Sequence, residues 1–373
     1  MKPWHVVNRE VSLYLDIVRF GAAFVVFGCH IGAWSFGGFL WRLVPYGSPA
    51  VVVFFVLSGY VIGYVSQKRE TTVTDYIVAR AARMYSVTIP VLFIGALIDG
   101  VGSMIEPGFY SHISLWFPHE LWQLPIYLTF LNRVWSLDFT PGSIGAYWSL
   151  SYEAAYYALF GVCFFLRGTK RMAGAAFIFL IVGPRILAMS PLWFSGLVAY
   201  RIGSKQPLDR AAGWVVFIVS LVAAVVWNFW SMKHGILQSG VNIPEHGISG
   251  ALEDFLIAAI FSLNLIAFNT ISSSFQGLAN FIVRPVRWLA GGTFTLYLLH
   301  QPLLAFAKAV CVEWVARSAW FHAAILILPL WIVFLVAEWT ERRKAIWQKL
   351  FREIASKISP GSTQVSSAPA QGR

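Results

Sequence analysis

Eleven residues separate Arg19 from His30, and both lie inside the first apolar stretch of the chain, LDIVRFGAAFVVFGCH. At about 100° per residue this spacing ends about 20° past three full helical turns, so the two side chains share a face about 16 Å apart along the axis. Asp16 stands three residues before Arg19, on the same side of that helix. An ionisable group inside an apolar helix is costly, so each one is a candidate for function. The stripe suits a ligand lying lengthwise along the helix. It equally suits a structural Asp–Arg pair plus a histidine bonded to a neighbouring helix.

Other chemistry-bearing residues are scattered along the chain in the same manner. Glu153 follows Trp148-Ser149-Leu150-Ser151-Tyr152, with Tyr156 and Tyr157 just after it. A lone carboxylate there needs a partner or a proton. The aromatic residues suit either an interfacial belt or the wall of a sugar-binding cavity. Arg80 and Arg83, spaced to point the same way and close to Lys68 and Arg69, suit a phosphate clamp or plain cytoplasmic anchoring. Ser58-Gly59 permits close helix approach, and no GxSxG surrounds the serine. His300 ends GGTFTLYLLH, where a lone histidine is ordinarily a packing residue. No metal-ligand spacing or P-loop occurs, so no metal is expected. Cys29, Cys163 and Cys311 all lie in apolar runs, which excludes a disulfide framework.

These residues sit in a chain of 373 residues that is 58% hydrophobic and 12% charged. So few charges cannot cover a soluble domain of this length, which leaves a polytopic membrane protein of all-α class. Ten apolar stretches are readable, at 12–34, 49–66, 84–101, 145–166, 172–187, 190–203, 213–231, 252–269, 290–311 and 321–340. The fifth and sixth meet at Gly183-Pro184-Arg185 and read as two spans or one tight hairpin. Asp16 and Arg19 argue against a cleaved leader in the first. With the N-terminus inside, 21 Lys and Arg residues fall in inside segments and 5 in outside ones. That asymmetry supports ten spans with both termini cytoplasmic, and it accounts for the net charge of +11 without nucleic acid as a partner. Residues 1–345 are expected to form one transmembrane domain. Residues 346–373 read as a cytoplasmic tail, disordered after Lys357, and residues 102–144 as the longest outside loop.

In this order the motifs resemble the acyltransferase 3 family of integral-membrane acyltransferases over residues 12 to 340. The resemblance rests on Arg19-x10-His30 preceded by Asp16 and on Phe55, Leu57, Ser58, Gly59 and Tyr60. It continues with Arg80 and Arg83, with Trp148, Leu150, Glu153 and Tyr157, with Phe194 and Gly196, and with Tyr297, Leu298 and His300. Two positions depart from the pattern. Ser86 and a later Pro90 replace an early proline after the arginine pair, and Thr293 stands where serine is common.

The resemblance implies transfer of an acyl group, usually acetyl, from cytoplasmic acyl-CoA to a hydroxyl of an extracytoplasmic glycan or glycolipid. His30 is then the expected general base, or the site of a covalent acyl group. Glu153 is expected to orient it or to contact the sugar. Asp16, Arg19, Arg80 and Arg83 are expected to hold the acyl-CoA, and Trp148, Tyr152, Tyr297 and His300 the acceptor. The expected location is a bacterial inner membrane, in contact with lipid. The competing class is a proton-coupled transporter or flippase that relays protons through His30, Glu153 and His300. A glycan polymerase fits less well, because loop 102–144 holds only Arg133 among the arginines expected of one.

Overall fold

The computed structural model describes residues 9–33, 39–68, 70, 72–205, 208–233, 247–311 and 319–358, and among them there is no strand. The helices are α1 (Arg9–Ala33), α2 (Gly47–Lys68), α3 (Val73–Ile105), α4 (Pro107–Tyr110), α5 (Leu124–Leu128), α6 (Trp148–Phe165) and α7 (Gly168–Ala188). They continue as α8 (Ser190–Lys205), α9 (Arg210–Lys233), α10 (Gly247–Ile271), α11 (Gln276–Ala290), α12 (Thr293–Val310), α13 (Ala319–Trp339) and α14 (Lys344–Ile358). Each of the ten apolar stretches lies on one of the longer helices. Seven helical segments among the described residues are long and apolar enough to cross a membrane: α1, α2, α3, α7, α9, α10 with α11, and α13 with α14. The chain is a polytopic all-α membrane protein.

Two halves of the bundle meet at α1 and α2. On one side α8 packs along α2, and α10 packs on α8, α9 and α2. On the other, α12 packs against α1, α3 and α13, while α6 leans on α7. Here and below, the proximal end is the end where α1 starts, and the distal end is the one that holds His30.

The α2–α8 contact depends on glycine. A Cβ placed on Gly59 would collide with the Trp193 carbonyl, and one on Gly196 with the Val56 carbonyl. Each helix thus lays bare backbone against the other, the arrangement expected of Ser58-Gly59. The join between the fifth and sixth stretches is also resolved. Helix α7 kinks at Gly183, whose φ is 77°, a conformation glycine adopts without strain. The break leaves carbonyls that an intact helix would use. Trp135 fills them, donating from Nε1 to Leu180 O at 2.9 Å and from its backbone N–H to Val182 O at 3.2 Å. Helix α8 follows after Met189 alone and packs on α2.

Three features depart from the sequence reading. Residues 102–144 do not simply lie outside. Tyr85, about 18 Å along α3 from its start, donates to Leu128 O at 2.7 Å, and its ring lies 5.3 Å from that of Phe130. Tyr127, Asn132 and Tyr147 are fully buried, so the second half of this loop folds back into the bundle beside α3, α6 and α7. Non-helical backbone is tolerated at such a place only when its polar groups are satisfied internally. Asn132 meets that demand by donating to Phe139 O and accepting from Ser151 Oγ. Asp99 ties the loop to α3 by accepting from the N–H and the hydroxyl of Ser143.

The second and third departures are α11 and α14, which no apolar stretch marks. Both are amphipathic rather than uniformly apolar, so hydropathy passes over them. Helix α14 occupies part of the expected tail. It lies on α3, with Phe351 5.8 Å from Tyr85 and Arg352 3.3 Å from Asp75. The stretch after Ile358 lies outside the described residues.

The crossing makes a sharp prediction. Gly59→Ala or Gly196→Ala should each destabilise the protein by about 1–3 kcal/mol through overpacking. Gly21→Ala, where an added Cβ meets nothing within 4 Å, should be neutral or slightly stabilising. Thermal unfolding of the three variants in detergent checks the contrast.

Candidate active site

Helices α1, α2, α3, α6 and α12 enclose a cavity of about 70 Å³. Arg19 enters it from α1, Ser58 from α2, Arg80 and Arg83 from α3, Glu153 and Tyr157 from α6, and Tyr297 from α12. The Glu153 carboxylate is its organising group. It accepts from Ser58 Oγ at 3.1 Å and from the Tyr157 hydroxyl, and Arg83 Nε stands 4.0 Å away. Trp193 Nε1 donates to Ser58 Oγ at 3.1 Å, so the serine is locked into the network.

Each cation has an acidic neighbour. Arg80 bonds Glu70 at 2.5 Å, and its guanidinium lies 5.4 Å above Tyr157 and 5.8 Å above Tyr76. Its Nε remains a buried donor without a partner. Arg19 pairs with Asp16 at 3.4 Å. Asp16 does not line the cavity and reaches it only through Arg19. Arg83 also lies 5.9 Å over the Phe294 ring.

His30 and His300 form a second cluster, distal to the cavity. Both are buried. Nδ1 of each stands 2.9 Å from the carbonyl four residues earlier, Val26 O and Leu296 O. A carbonyl only accepts, so both Nδ1 atoms carry a proton. His300 Nε2, 3.2 Å from His30 Nδ1, is therefore an acceptor that shares the His30 proton with Val26 O. In the neutral ring this arrangement leaves His30 Nε2 as the lone pair, the form a general base requires. Tyr297 sits one turn before His300 on α12 and lines the cavity, with its hydroxyl donating to Ser149 Oγ at 3.0 Å. The next residue, Gln301, accepts from the Ala146 N–H at 2.5 Å and fastens the histidine helix to the folded-back loop.

The residues singled out from sequence thus divide into groups. Arg19, Arg80, Arg83, Glu153 and Tyr297 share the cavity. His30 meets His300, whereas no hydrogen bond or ion pair among the described residues joins it to Glu153. The orienting partner of His30 in this geometry is His300. Trp148 and Tyr152 are fully buried and pack around Phe55, at 6.3 and 6.1 Å, outside the cavity wall. The reason is register. Ser149, Glu153 and Tyr157 form one stripe of α6, and Trp148, Tyr152 and Tyr156 form another, one residue and about 100° away. Arg69 lies outside the described residues, and only the backbone of Lys68 is described.

Two acids escape sequence reasoning. Glu70 sits in a charged connection and looks like an ordinary surface residue. Glu341 opens the run ERRK beyond the last apolar stretch, yet it accepts from the N–H groups of Phe294 and Thr295 at 3.1 and 3.2 Å. Its position after the last span was the only signal. Among the described residues no group of three His, Cys, Asp or Glu side chains could hold a metal ion.

The sequence matches the acyltransferase domain of the acyltransferase 3 family over residues 12–339. The chain belongs to this family. It is 25% identical over 175 residues to the exopolysaccharide production protein ExoZ of Rhizobium meliloti (strain 1021), covering 46% of this chain and 50% of that one. It is 30% identical over 153 residues to the acyltransferase MdmB of Streptomyces mycarofaciens, covering 38% and 36%. The alignments thus span about half and about a third of the curated relatives' lengths. No solved structure matches the chain.

For an acyltransferase of this geometry, Tyr152→Phe removes a hydroxyl that faces Arg185 and lies outside the cavity wall. Acyl transfer should stay within about twofold of wild type, with a stability loss of about 1 kcal/mol or less. Tyr297→Phe removes the bond to Ser149 at the cavity wall and should lower activity. Turnover and melting temperature measured on both variants check the assignment.

Proposed function

We propose that the protein transfers an acyl group, acetyl in the first instance, from cytoplasmic acyl-CoA to a hydroxyl of an extracytoplasmic glycan or glycolipid in a bacterial inner membrane. The observation that carries this reading is the buried His30–His300 pair, one helical turn along α12 beyond an arginine-lined cavity. The proximal end is then cytosolic, with ten spans and both termini inside, in keeping with the distribution of Lys and Arg.

The residues present fit such a donor. Arg80 holds an unpartnered buried donor atom, and Arg83 meets Glu153 only at 4.0 Å, so both have hydrogen-bonding capacity for phosphate. The cavity is narrow, which suits the thin thioester arm rather than a sugar. The acceptor then enters from the distal side, where the histidines lie.

The reaction follows directly. The acceptor oxygen attacks the thioester carbonyl carbon while its proton passes to His30 Nε2. The carbon–sulfur bond breaks, and the CoA thiolate leaves and is protonated from the His30 imidazolium or from solvent. The bond between His30 Nδ1 and His300 Nε2 holds the ring in its productive tautomer and spreads the developing positive charge. Glu153 then belongs to the donor end, where it keeps Arg83 and Ser58 in place.

His30→Ala should lower acyl transfer at least 100-fold, within the range typical of a lost general base, while the folded protein persists. Arg80→Ala combined with Arg83→Ala should raise the acyl-CoA KM about tenfold or more. Mass spectrometry of envelope glycans from cells with and without the protein should show an acyl mass increment that depends on His30. Persistence of that increment in His30→Ala cells rules out the general-base role.

A further inference from the structure

The proximal wall of the cavity carries a feature that donor binding alone does not explain. The first turn of α12 directs the N–H groups of Phe294 and Thr295 toward the Glu341 carboxylate, at 3.1 and 3.2 Å, and Thr295 Oγ1 stands 3.4 Å from it. Arg83 and Arg19 lie within electrostatic reach of the same carboxylate. Lys344, one turn further on, faces Arg83, Glu341, Arg19 and Arg80. A helix N-terminus with converging guanidinium and ammonium groups is the environment that protein folds present to phosphate. Here the chain's own carboxylate occupies it.

The local charges support the same conclusion. Five cations, Arg19, Arg80, Arg83, Arg287 and Lys344, face four acids, Asp16, Glu70, Glu153 and Glu341, so the acids offset most of the positive charge. A site so nearly balanced attracts a multiply anionic donor only weakly unless one acid moves or loses its charge. Asp16 and Glu153 are fixed within α1 and α6. Glu70 is committed to Arg80 at 2.5 Å. Glu341 belongs to the short turn Glu341–Arg343 that joins α13 to α14, and it alone of the four sits on a helix N-terminus.

We infer that Glu341 acts as an internal anion that holds the place of a donor phosphate, and that acyl-CoA binds by displacing it from the Phe294–Thr295 N–H groups. This inference rests on the acyl-CoA reading above and assigns Glu341 as a specificity-determining residue for the donor. When the carboxylate swings away, the site gains the positive charge that a phosphate then neutralises. With no donor present, the same carboxylate caps the two N–H groups and offsets the charge of the nearby arginines.

Glu341→Gln isolates the charge, because the amide oxygen still accepts from the two N–H groups. The test measures CoA binding to the full-length protein in detergent by calorimetry, alongside acetyl-CoA KM and kcat. The expected result is a CoA Kd at least about fivefold lower in Glu341→Gln, with KM falling in parallel and kcat unchanged or reduced. A purely structural role for Glu341 would leave Kd and KM the same or raise them, and either result overturns the inference while leaving the donor reading intact. Failure of the wild-type protein itself to bind CoA overturns both. Glu341→Asp withdraws the carboxylate by one methylene and is measured in parallel. It should shift Kd in the same direction by less, which keeps the inference testable should the glutamine variant not fold.

Discussion

An ionised side chain in an apolar helix bundle must have a partner, and that demand shapes this protein more than any other constraint. Desolvating a carboxylate or a guanidinium costs several kcal/mol, a penalty recovered only through close, well-oriented opposite charge and hydrogen bonds. The structure meets the demand by convergence. Arg19, Arg80 and Arg83 from two helices meet Glu153 around one cavity, and Asp16 and Glu70 pair with Arg19 and Arg80 from behind its wall. None of these groups is stable where it stands without the others, so the helices that carry them must take up this packing.

The same constraint explains how the backbone is built around the site. Gly59 and Gly196 let α2 and α8 approach closely enough to bring Trp193 onto Ser58, and Ser58 in turn holds Glu153. The kink at Gly183 would waste carbonyl groups, but Trp135 from the folded-back loop takes them up. The loop is itself secured by Tyr85, Asp99 and Gln301, and the last of these is adjacent to His300. Packing, loop folding and placement of the histidines are therefore one connected problem. A change in the α2–α8 crossing reaches the cavity through Trp193, and a change in the loop reaches the histidines through Gln301.

Two clusters of different character result. The proximal cavity is rich in charge and suited to an anionic donor. The distal histidine pair contains no carboxylate, and each ring is set by a backbone carbonyl. Separation keeps the imidazoles away from the arginines while leaving His300 one helical turn from the cavity wall at Tyr297. A carboxylate beside His30, as the sequence reading allowed for Glu153, would instead favour the protonated imidazole. The neighbour in the structure is instead a second imidazole, that of His300.

The membrane-embedded all-α class and the identity of most cavity residues were legible in the sequence, because both depend on local properties. Hydropathy is a property of the segment itself, and an ionisable residue within twenty apolar ones stands out whatever the fold. The face shared by Asp16 and Arg19 follows from helical geometry alone. Pairings across the bundle had no such local signal. That His30 meets His300 rather than Glu153, that Trp148 and Tyr152 turn away from the cavity, and that loop 102–144 folds inward depend on helix rotation and on contacts between residues up to 270 positions apart. Glu341 shows the limit most plainly. In sequence it is one acid in a basic run, and only the return of the chain after α13 brings it to the first turn of α12, where two N–H groups and two arginines give its charge a meaning.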